Sequence, residues 1–486
     1  MELGAKCNHL DTPRRLPRMK LWFRAAKGCS LKVDFRKLVQ RSGGGDRYTA
    51  VLWTGVAVAS VALVIAWFSI DWQWSPVDDP GQALAMRALH ESNPAHQAIY
   101  LRAVELASGD FAGGVFRPLA WIYPPLMYSL TVDAAHLVRL LMLLVTIAGP
   151  VIYFKRRGYR GLNLIFVLLI LIIAASGLYQ GLLLLSIQEV GGMMCISIGL
   201  AIGRPTGRLV LFLLASFFKA PFLWVLVGYS IFLFRTGERK KAFFSAGSAA
   251  AVFVISVVLS GAGTYTDRYR LNPLDPELWK SAAQILDPAN GALLVAALWW
   301  LVATRSRLVR ESDFPVFAVG FAGYYAQMIP WGFTAYYMGP ISFLLGLLIL
   351  SVVSPSSEAS RPEVLVGLVV PLVVAAWVLK GSLEFVFQTN AVLADSTRCI
   401  VQSDAQRIAL QGEWLYVTTS PEGPIRLTEN IRYFNDDWSG QVSLNGEISD
   451  PTHALLVGQG ANPQRVSGNE ICSSDLVTLI ELRADE

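Results

Sequence analysis

The chain has 486 residues, of which 53% are hydrophobic and only 16% are charged. The net charge is +5, and the basic residues cluster beside apolar runs. This composition excludes an ordinary soluble protein, and the basic clusters give no indication of nucleic-acid binding. Five cysteines and five histidines show no metal-binding spacing, so we expect neither a metal nor a cofactor.

The N-terminal segment, residues 1–50, is strongly basic, with twelve Lys or Arg against four Asp or Glu. The positive-inside rule therefore predicts a cytoplasmic N-terminus. No cleavable signal peptide is indicated, so the apolar run Val51–Ile70 is interpreted as a retained first membrane span. The glycines at 43–45 are not followed by the Lys-Ser/Thr of a phosphate-binding loop, and we expect no nucleotide site.

A polar segment, Asp71–Ala135, follows the first span and contains the adjacent carboxylates Asp78 and Asp79. Carboxylates are costly to keep close to lipid, so this pair indicates a reaction or ion site at the membrane surface; the alternative is a solvated helix flank. Tyr123-Pro124-Pro125 closes the segment, either as the start of a helix or as a ligand contact.

Further apolar runs alternate with basic clusters, and this pattern predicts a polytopic α-helical membrane protein of about eleven transmembrane segments. The amino end is predicted inside and the carboxyl end outside. The runs are His136–Phe154, Leu162–Gly177, Leu182–Gly203, Leu209–Phe218, Phe222–Phe234, Ala242–Gly261, Ala289–Ala303, Phe314–Pro330, Gly339–Val353 and Val364–Gly381. Leu209–Phe218 and Phe222–Phe234 are short for full spans, so we expect a hairpin turning at Lys219, with one long tilted helix as the alternative.

Residues 382–486 differ from the rest, with fifteen acidic residues against six arginines and no lysine. Short β-prone stretches alternate with Gly, Pro and Asn turns, which predicts a small β-rich domain outside the cytoplasm. Cys399 and Cys472 lie near its two ends, and a disulfide between them would stabilise the domain by roughly 4 kcal/mol. The alternative is two unpaired thiols.

The predicted topology brings several reactive groups to one outer face. These are Asp78, Asp79, Tyr123, Lys219 and the loop Thr264–Asn290, which contains Arg268 and Arg270. These groups fit a lipid-phosphate substrate. The cations would hold the phosphate, and a carboxylate would take a proton. Gln188 and Glu189 interrupt an apolar run, and a carboxylate at that depth indicates a functional site; the alternative is that Glu189 reaches water.

Three motifs in this order resemble the GT-C superfamily of integral membrane glycosyltransferases, over about residues 50–350. They are the acidic pair after the first span, Tyr-Pro-Pro-Leu at 123–126, and Lys219-Ala220-Pro221 at a short hairpin. Ser186–Gly191 is similar to the Gly-Gln-Val/Asn element of the polyprenyl-phosphate mannosyltransferase branch. Residues 216–221 resemble that branch's Lys-Pro-Gln-Pro and the Thr-Lys-Gly element of protein O-mannosyl and aminoarabinose transferases.

The resemblance implies a transmembrane catalytic domain at residues 51–381 that takes a sugar from a polyprenyl-phosphate donor in the cell membrane. Asp78 or Asp79 would be the general base, with inversion at the sugar, and polyprenyl phosphate would leave. The acceptor would be a glycan, lipid or protein of the cell envelope. Lys219, Tyr123, Gln188, Glu189, Arg268 and Arg270 would bind substrate.

Three other function classes remain as alternatives. An oligosaccharide polymerase would be expected to have a large late outer loop, whereas the loops after Ala303 are short. A membrane transporter of a polar or lipid-linked solute would have its charges at mid-bilayer and often an internal repeat, and the sequence shows no convincing repeat. A receptor or scaffold with an outer domain would not need the acidic pair.

Overall fold

The computed structural model divides the chain into two compact units, Met1–Leu63 and Val64–Glu486. It describes residues 79–182, 188–262, 276–283, 288–305, 313–329, 335–353 and 361–405, five strands between 413 and 482, and Thr54, Trp67 and Trp72. The predicted cytoplasmic segment and nearly all of the predicted first span lie outside these residues. Everything below concerns the second unit.

The polar segment after the predicted first span contains three helices. They are α1 (Asp79–Ser92), α2 (Ala95–Gly113) and α3 (Pro118–Tyr128). Helix α3 begins at Pro118, because a proline in the first turn has no hydrogen bond to lose. Pro124 and Pro125 lie in its interior, so the interpretation of Tyr123-Pro124-Pro125 as the start of a helix is wrong.

Eleven further helices are described, and most of them are apolar. They are α4 (Val132–Arg156), α5 (Leu162–Ala174), α6 (Glu189–Ile202), α7 (Pro205–Phe218), α8 (Leu223–Arg235), α9 (Arg239–Ala262), α10 (Pro276–Ala283), α11 (Pro288–Thr304), α12 (Phe314–Met328), α13 (Ala335–Val352) and α14 (Arg361–Ala405). A 3₁₀ helix, Ser176–Leu182, follows α5. In the run predicted to start at Leu182, the described α-helix is Glu189–Ile202.

Three of the described helices are long and apolar enough to cross a membrane by length and composition: α4, α9 and α14. Helices α5, α6, α7, α11 and most of α13, together with residues Ala220–Arg235, are apolar but shorter. The predicted multi-helix architecture with several apolar candidate spans is therefore confirmed. The number of spans and their sidedness stay predictions.

Helix packing forms one continuous core. Helix α6 packs between α4 and α7, α8 packs against α9 and α12, and α14 packs against α5 and α11. A Cβ added to Gly149 of α4 would lie 2.3 Å from the carbonyl oxygen of Ser197 in α6, so only glycine lets these two helices approach so closely. Phe166 and Trp300 stack at 4.1 Å and join α5 to α11.

The helical path is interrupted between α7 and α8, as the short apolar runs on either side predict. Lys219 has an extended backbone, and a 3₁₀ turn, Ala220–Phe222, precedes α8. In the interior of a continuous helix a proline removes a backbone hydrogen bond and its ring clashes with the preceding turn, so Pro221 accounts for the break. The alternative of one long tilted helix is therefore wrong.

At the other end of α7 a buried carboxylate joins three helix ends. Asp313, 1% exposed, is at the N-cap of α12 and forms ion pairs with Arg157, at the end of α4, and with Arg208 of α7 at 3.7 Å. The hydroxyl of Tyr153 donates to the same carboxylate. We call these four residues the Asp313 cluster.

Beyond Gly381 helix α14 continues to Ala405, so the predicted boundary at 381/382 lies inside a helix. Residues 382–405 contain no Gly or Pro to end it. Five short strands follow: β1 (Glu413–Val417), β2 (Gln441–Leu444), β3 (His453–Val457), β4 (Gly468–Ser473) and β5 (Val477–Leu482), in the sheet order β2-β1-β3-β5-β4. Strands β1, β2 and β3 pair in parallel, and β5 is antiparallel to β3 and β4. An outer β-rich domain stays a prediction.

Candidate functional site

Lys219 lies at the break between α7 and α8, and its ammonium is surrounded by groups from two other helices. It forms an ion pair with Glu189, the first residue of α6. Its Nζ also lies 3.7 Å from the ring centroid of Tyr337 on α13, which adds a cation–π contact. The side chain of Lys219 is 20% exposed and that of Glu189 is 3% exposed, so the lysine is the more exposed partner of the pair.

Two glycines place Glu189 beside Lys219. A Cβ added to Gly191 would lie 2.5 Å from the ring of Phe218, and one added to Gly192 would lie 2.2 Å from the ring of Phe222. Helix α6 can therefore approach the break only with glycines at these positions. Because Glu189 begins a helix, the positive end of the helix dipole also stabilises its carboxylate.

Gln188 connects this ion pair to a second one. With its amide oriented to satisfy both neighbours, Gln188 donates to the carbonyl of Phe218 at 3.2 Å and accepts from Nη1 of Arg117 at 3.0 Å. The side chain therefore bridges the end of α7 and the start of α3.

The second ion pair joins Arg117, the N-cap of α3, to Asp110 near the end of α2. Arg117 Nε lies 2.6 Å from Asp110 Oδ2 and Nη2 lies 2.7 Å from Oδ1, while Trp121 Nε1 donates to Oδ2 at 2.7 Å. This bidentate geometry fixes the plane of the guanidinium. The Arg117 side chain is 37% exposed. We call Lys219, Glu189, Gln188, Arg117 and Asp110 the Lys219 cluster.

Aromatic and basic side chains adjoin the cluster. Tyr123 of α3 contacts Phe218 edge-on, with centroids 5.9 Å apart. Arg139 of α4 is completely buried and its Cζ lies 5.1 Å from the Tyr123 centroid. The buried His136 lies one turn before Arg139, with its Nδ1 2.7 Å from the carbonyl oxygen of Leu182. A buried arginine on an apolar helix indicates a functional site.

Of the predicted site residues, the structure brings Lys219, Glu189, Gln188 and Tyr123 together. Asp78, Arg268 and Arg270 lie outside the described residues. The others are described only by backbone: Asp79 begins α1, Cys399 lies in α14 and Cys472 in β4. The acidic pair as catalytic base and the disulfide therefore stay predictions.

Sequence reasoning did not identify Asp110, Arg117, Arg139 or Tyr337. A signal existed for Arg139, because a charge inside an apolar run is by itself unusual. Asp110 and Arg117 lie in a polar segment, where charged residues are ordinary. Their pairing depends on the turn between α2 and α3, which brings residues seven positions apart into contact.

No family model matches this sequence, and a search of curated protein sequences finds no match. Among solved structures, the crystal structure of ArnT from Cupriavidus metallidurans in the apo state matches with a TM-score of 0.50. The match covers 89% of this chain and 98% of that chain, at 12% sequence identity. At this identity the likeness shows the fold alone. The chain therefore has the fold of ArnT, as the resemblance to the GT-C superfamily predicts.

Proposed function

We propose that this protein transfers a sugar from a polyprenyl-phosphate donor to an acceptor of the cell envelope. The observation that carries the proposal is the Lys219 cluster, in which two cations adjoin on an ArnT-like fold. Lysine and arginine are the residues that bind phosphate oxygens, and both side chains of this cluster are partly exposed.

In the proposed reaction a carboxylate removes the proton from the acceptor hydroxyl, and the resulting oxygen attacks the anomeric carbon of the sugar. The bond from that carbon to the phosphate oxygen breaks, and polyprenyl phosphate leaves. Attack from the face opposite the phosphate inverts the anomeric centre. Lys219 and Arg117 stabilise the charge that develops on the leaving phosphate, and Asp79 or Asp78 is the proposed base.

The proposal includes the membrane topology predicted from the charges. Eleven spans would place the N-terminus in the cytoplasm, and the Lys219 cluster and a β-rich domain on the outer side. A lipid donor of this kind presents its sugar at the membrane surface, so the outer side is where an envelope acceptor would meet it.

Transfer from a labelled polyprenyl-phosphate sugar to endogenous acceptors in membrane vesicles tests the proposal. We expect Asp79→Asn or Asp78→Asn to abolish transfer without changing donor binding, because a base acts after the donor has bound. The matched control for Lys219→Ala is Lys240→Ala, because Lys240 is an exposed lysine of α9. This control variant should retain transfer. Full transfer in both variants would show that neither Asp79 nor Asp78 is the base. Solute uptake without transfer from any donor would favour a transporter.

A further inference from the structure

At the end of α7 opposite Lys219, the ends of three helices meet. Helix α4 ends at Arg156, α6 ends at Ile202, and α7 begins at Pro205. Helix α6 packs between the other two. Because α4 is a candidate membrane span and both α6 and α7 are apolar, this junction would lie where the hydrocarbon core of a bilayer gives way to its headgroups.

A sharp turn after α6 brings two arginines to this junction. Gly203 has a φ of 71°, in the left-handed region that glycine adopts readily. A Cβ added there would lie 3.1 Å from Nη1 of Arg156, so the end of α4 lies against the turn. The next residue, Arg204, is the N-cap of α7. Two guanidinium groups therefore come to one place from two different helices.

Both arginines keep donors that a ligand can use. The side chain of Arg156 donates to the carbonyl oxygen of Ala201, which leaves most of the five N–H groups of its guanidinium. Within the described residues, neither Arg156 nor Arg204 forms an ion pair. Both residues are exposed, so an anion can reach them.

The nearby carboxylate does not neutralise this pair of arginines. Asp313 forms its ion pairs with Arg157 and Arg208. Arg157 is the residue after Arg156, and Arg208 lies one turn after Arg204 on α7. Four arginines therefore adjoin one carboxylate, and the junction keeps an excess of positive charge.

Exposed apolar side chains adjoin the two arginines. Ile152 lies one turn before Arg156 on the same face of α4, Ile202 ends α6, and both isoleucines are 43% exposed. A Cβ added to Gly207 would lie 3.0 Å from Cγ2 of Ile202, so Ile202 also lies against the first turn of α7. Cations next to an uncovered apolar surface fit a lipid, because the headgroup meets the cations and an acyl chain covers the apolar side chains.

We propose that this junction binds an anionic phospholipid, with its phosphate on Arg156 and Arg204 and an acyl chain against Ile152 and Ile202. Basic pockets between membrane helices bind anionic headgroups in this way. A zwitterionic phospholipid has the same phosphate but also a cation, which the arginines repel, so the junction should select against it. The binding goes beyond the proposed transfer reaction and does not depend on it.

Native mass spectrometry of the full-length protein in detergent tests the binding. The probes are phosphatidylglycerol and phosphatidylcholine with the same acyl chains. We expect the wild type to retain phosphatidylglycerol about tenfold better, and Arg156→Gln/Arg204→Gln to lose most of this preference. The matched control is Arg239→Gln/Lys240→Gln, which removes two exposed positive charges from the start of α9 and should keep the preference.

A pair of single variants keeps the test decisive if the double variant does not fold, because Arg156 also bonds to the end of α6. Arg204 makes no side-chain capping hydrogen bond to α7, so its replacement should not disturb the helix. Arg204→Gln should lower phosphatidylglycerol retention about threefold, whereas Arg204→Lys keeps the charge and should retain the lipid.

Three results would overturn the proposal. Equal retention of both lipids by the wild type would show that the junction does not select an anionic headgroup. An equal loss of preference in the α9 control would show attraction to the basic surface as a whole. Release of bound phosphatidylglycerol by inorganic phosphate at equal concentration would show a site for a soluble anion, since phosphate makes no contact of the acyl-chain kind with Ile152 and Ile202.

Discussion

Helix α7 has an ion cluster at each end, and the two differ in how open they are. At its C-terminal end Lys219 pairs with Glu189 beside Arg117, whose side chain is 37% exposed. About 16 Å away along the helix, Arg208 pairs with Asp313, whose side chain is 1% exposed. Two arginines share the buried Asp313 carboxylate, and one of them, Arg157, has a side chain that is 31% exposed. The Lys219 cluster is the more open of the two, because the side chains of Arg117 and Asp110 are 37% and 13% exposed.

The helix dipoles sharpen this comparison. Glu189 at a helix N-terminus and Lys219 at a helix C-terminus are both favourably placed. Arg208 and Arg117 lie at helix N-termini, where a cation is unfavourable, and each is offset by a carboxylate. In the Asp313 cluster this arrangement joins three helices. In the Lys219 cluster the carboxylate of Asp110 holds Arg117 near the surface, at a helix end where a cation is unfavourable. Such an arrangement is typical of a binding site rather than of a structural contact.

The largest effect is expected from Lys219→Ala. It removes a phosphate ligand, so transfer should fall about 100-fold, and it leaves Glu189 buried without its cation, at a cost of about 3 kcal/mol in unfolding free energy. The double variant Lys219→Met/Glu189→Gln should regain most of the stability without regaining transfer. Thermal unfolding in detergent and vesicle transfer assays measure the two quantities. If transfer recovered with stability, the pair would be structural like the Asp313 cluster.

Asp313→Asn should show the opposite pattern. Two arginines lose their shared carboxylate, so the free energy of unfolding should fall by about 3 kcal/mol, while donor affinity of the folded protein stays within about twofold. Glu363→Gln is a matched control: its partner Arg305 is 4.0 Å away with a side chain that is 86% exposed, so the loss should be below about 1 kcal/mol. A large loss of donor affinity in Asp313→Asn would contradict the separation of the two ends.

Asp110→Asn should reduce donor affinity about tenfold, because it weakens the bidentate contact that orients Arg117. Stability should change little, since this pair is more exposed than Asp313. Glu105→Gln is the control on the same helix, where Glu105 pairs with Arg102 at 2.5 Å on the exposed side. Titration of both variants with polyprenyl phosphate measures their donor affinities. Equal affinities would show that Arg117 does not bind the donor.

The sequence predicted the multi-helix architecture with apolar candidate spans, the break at Lys219 and the proximity of Lys219 and Glu189 to one site. These features follow from local signals: apolar length, a proline after a short apolar run, and charged residues where lipid disfavours them. The three helices of the 79–128 segment were not predicted, and neither was the continuation of α14 to Ala405. Those sequences have mixed polarity, so tertiary packing decides their structure.

The site was predicted less completely than the fold, for a physical reason. Lys219 is marked by its own surroundings in the sequence, whereas Asp110 and Arg117 acquire a role only through contact with each other and with Gln188. Nothing in the sequence distinguishes Tyr337 from the other tyrosines, because its role depends on α13, which places its ring over Lys219. Contacts between elements distant in sequence leave no periodic pattern that a reader of one sequence can detect.

The smallest effect is expected from Gln188→Met, which keeps the volume and removes the bridge between Phe218 and Arg117. Losing these hydrogen bonds should cost about 1 kcal/mol, and because one of them orients Arg117, donor affinity should fall about fivefold. Gln327→Met is the matched control, since Gln327 accepts from Trp224 Nε1 at 2.9 Å between α12 and α8. Both variants should lose similar stability, but only Gln188→Met should weaken donor binding. Equal donor affinities would mean that Gln188 merely joins α3 to α7, and that the open cluster depends on Lys219 and Arg117 without a bridge between them.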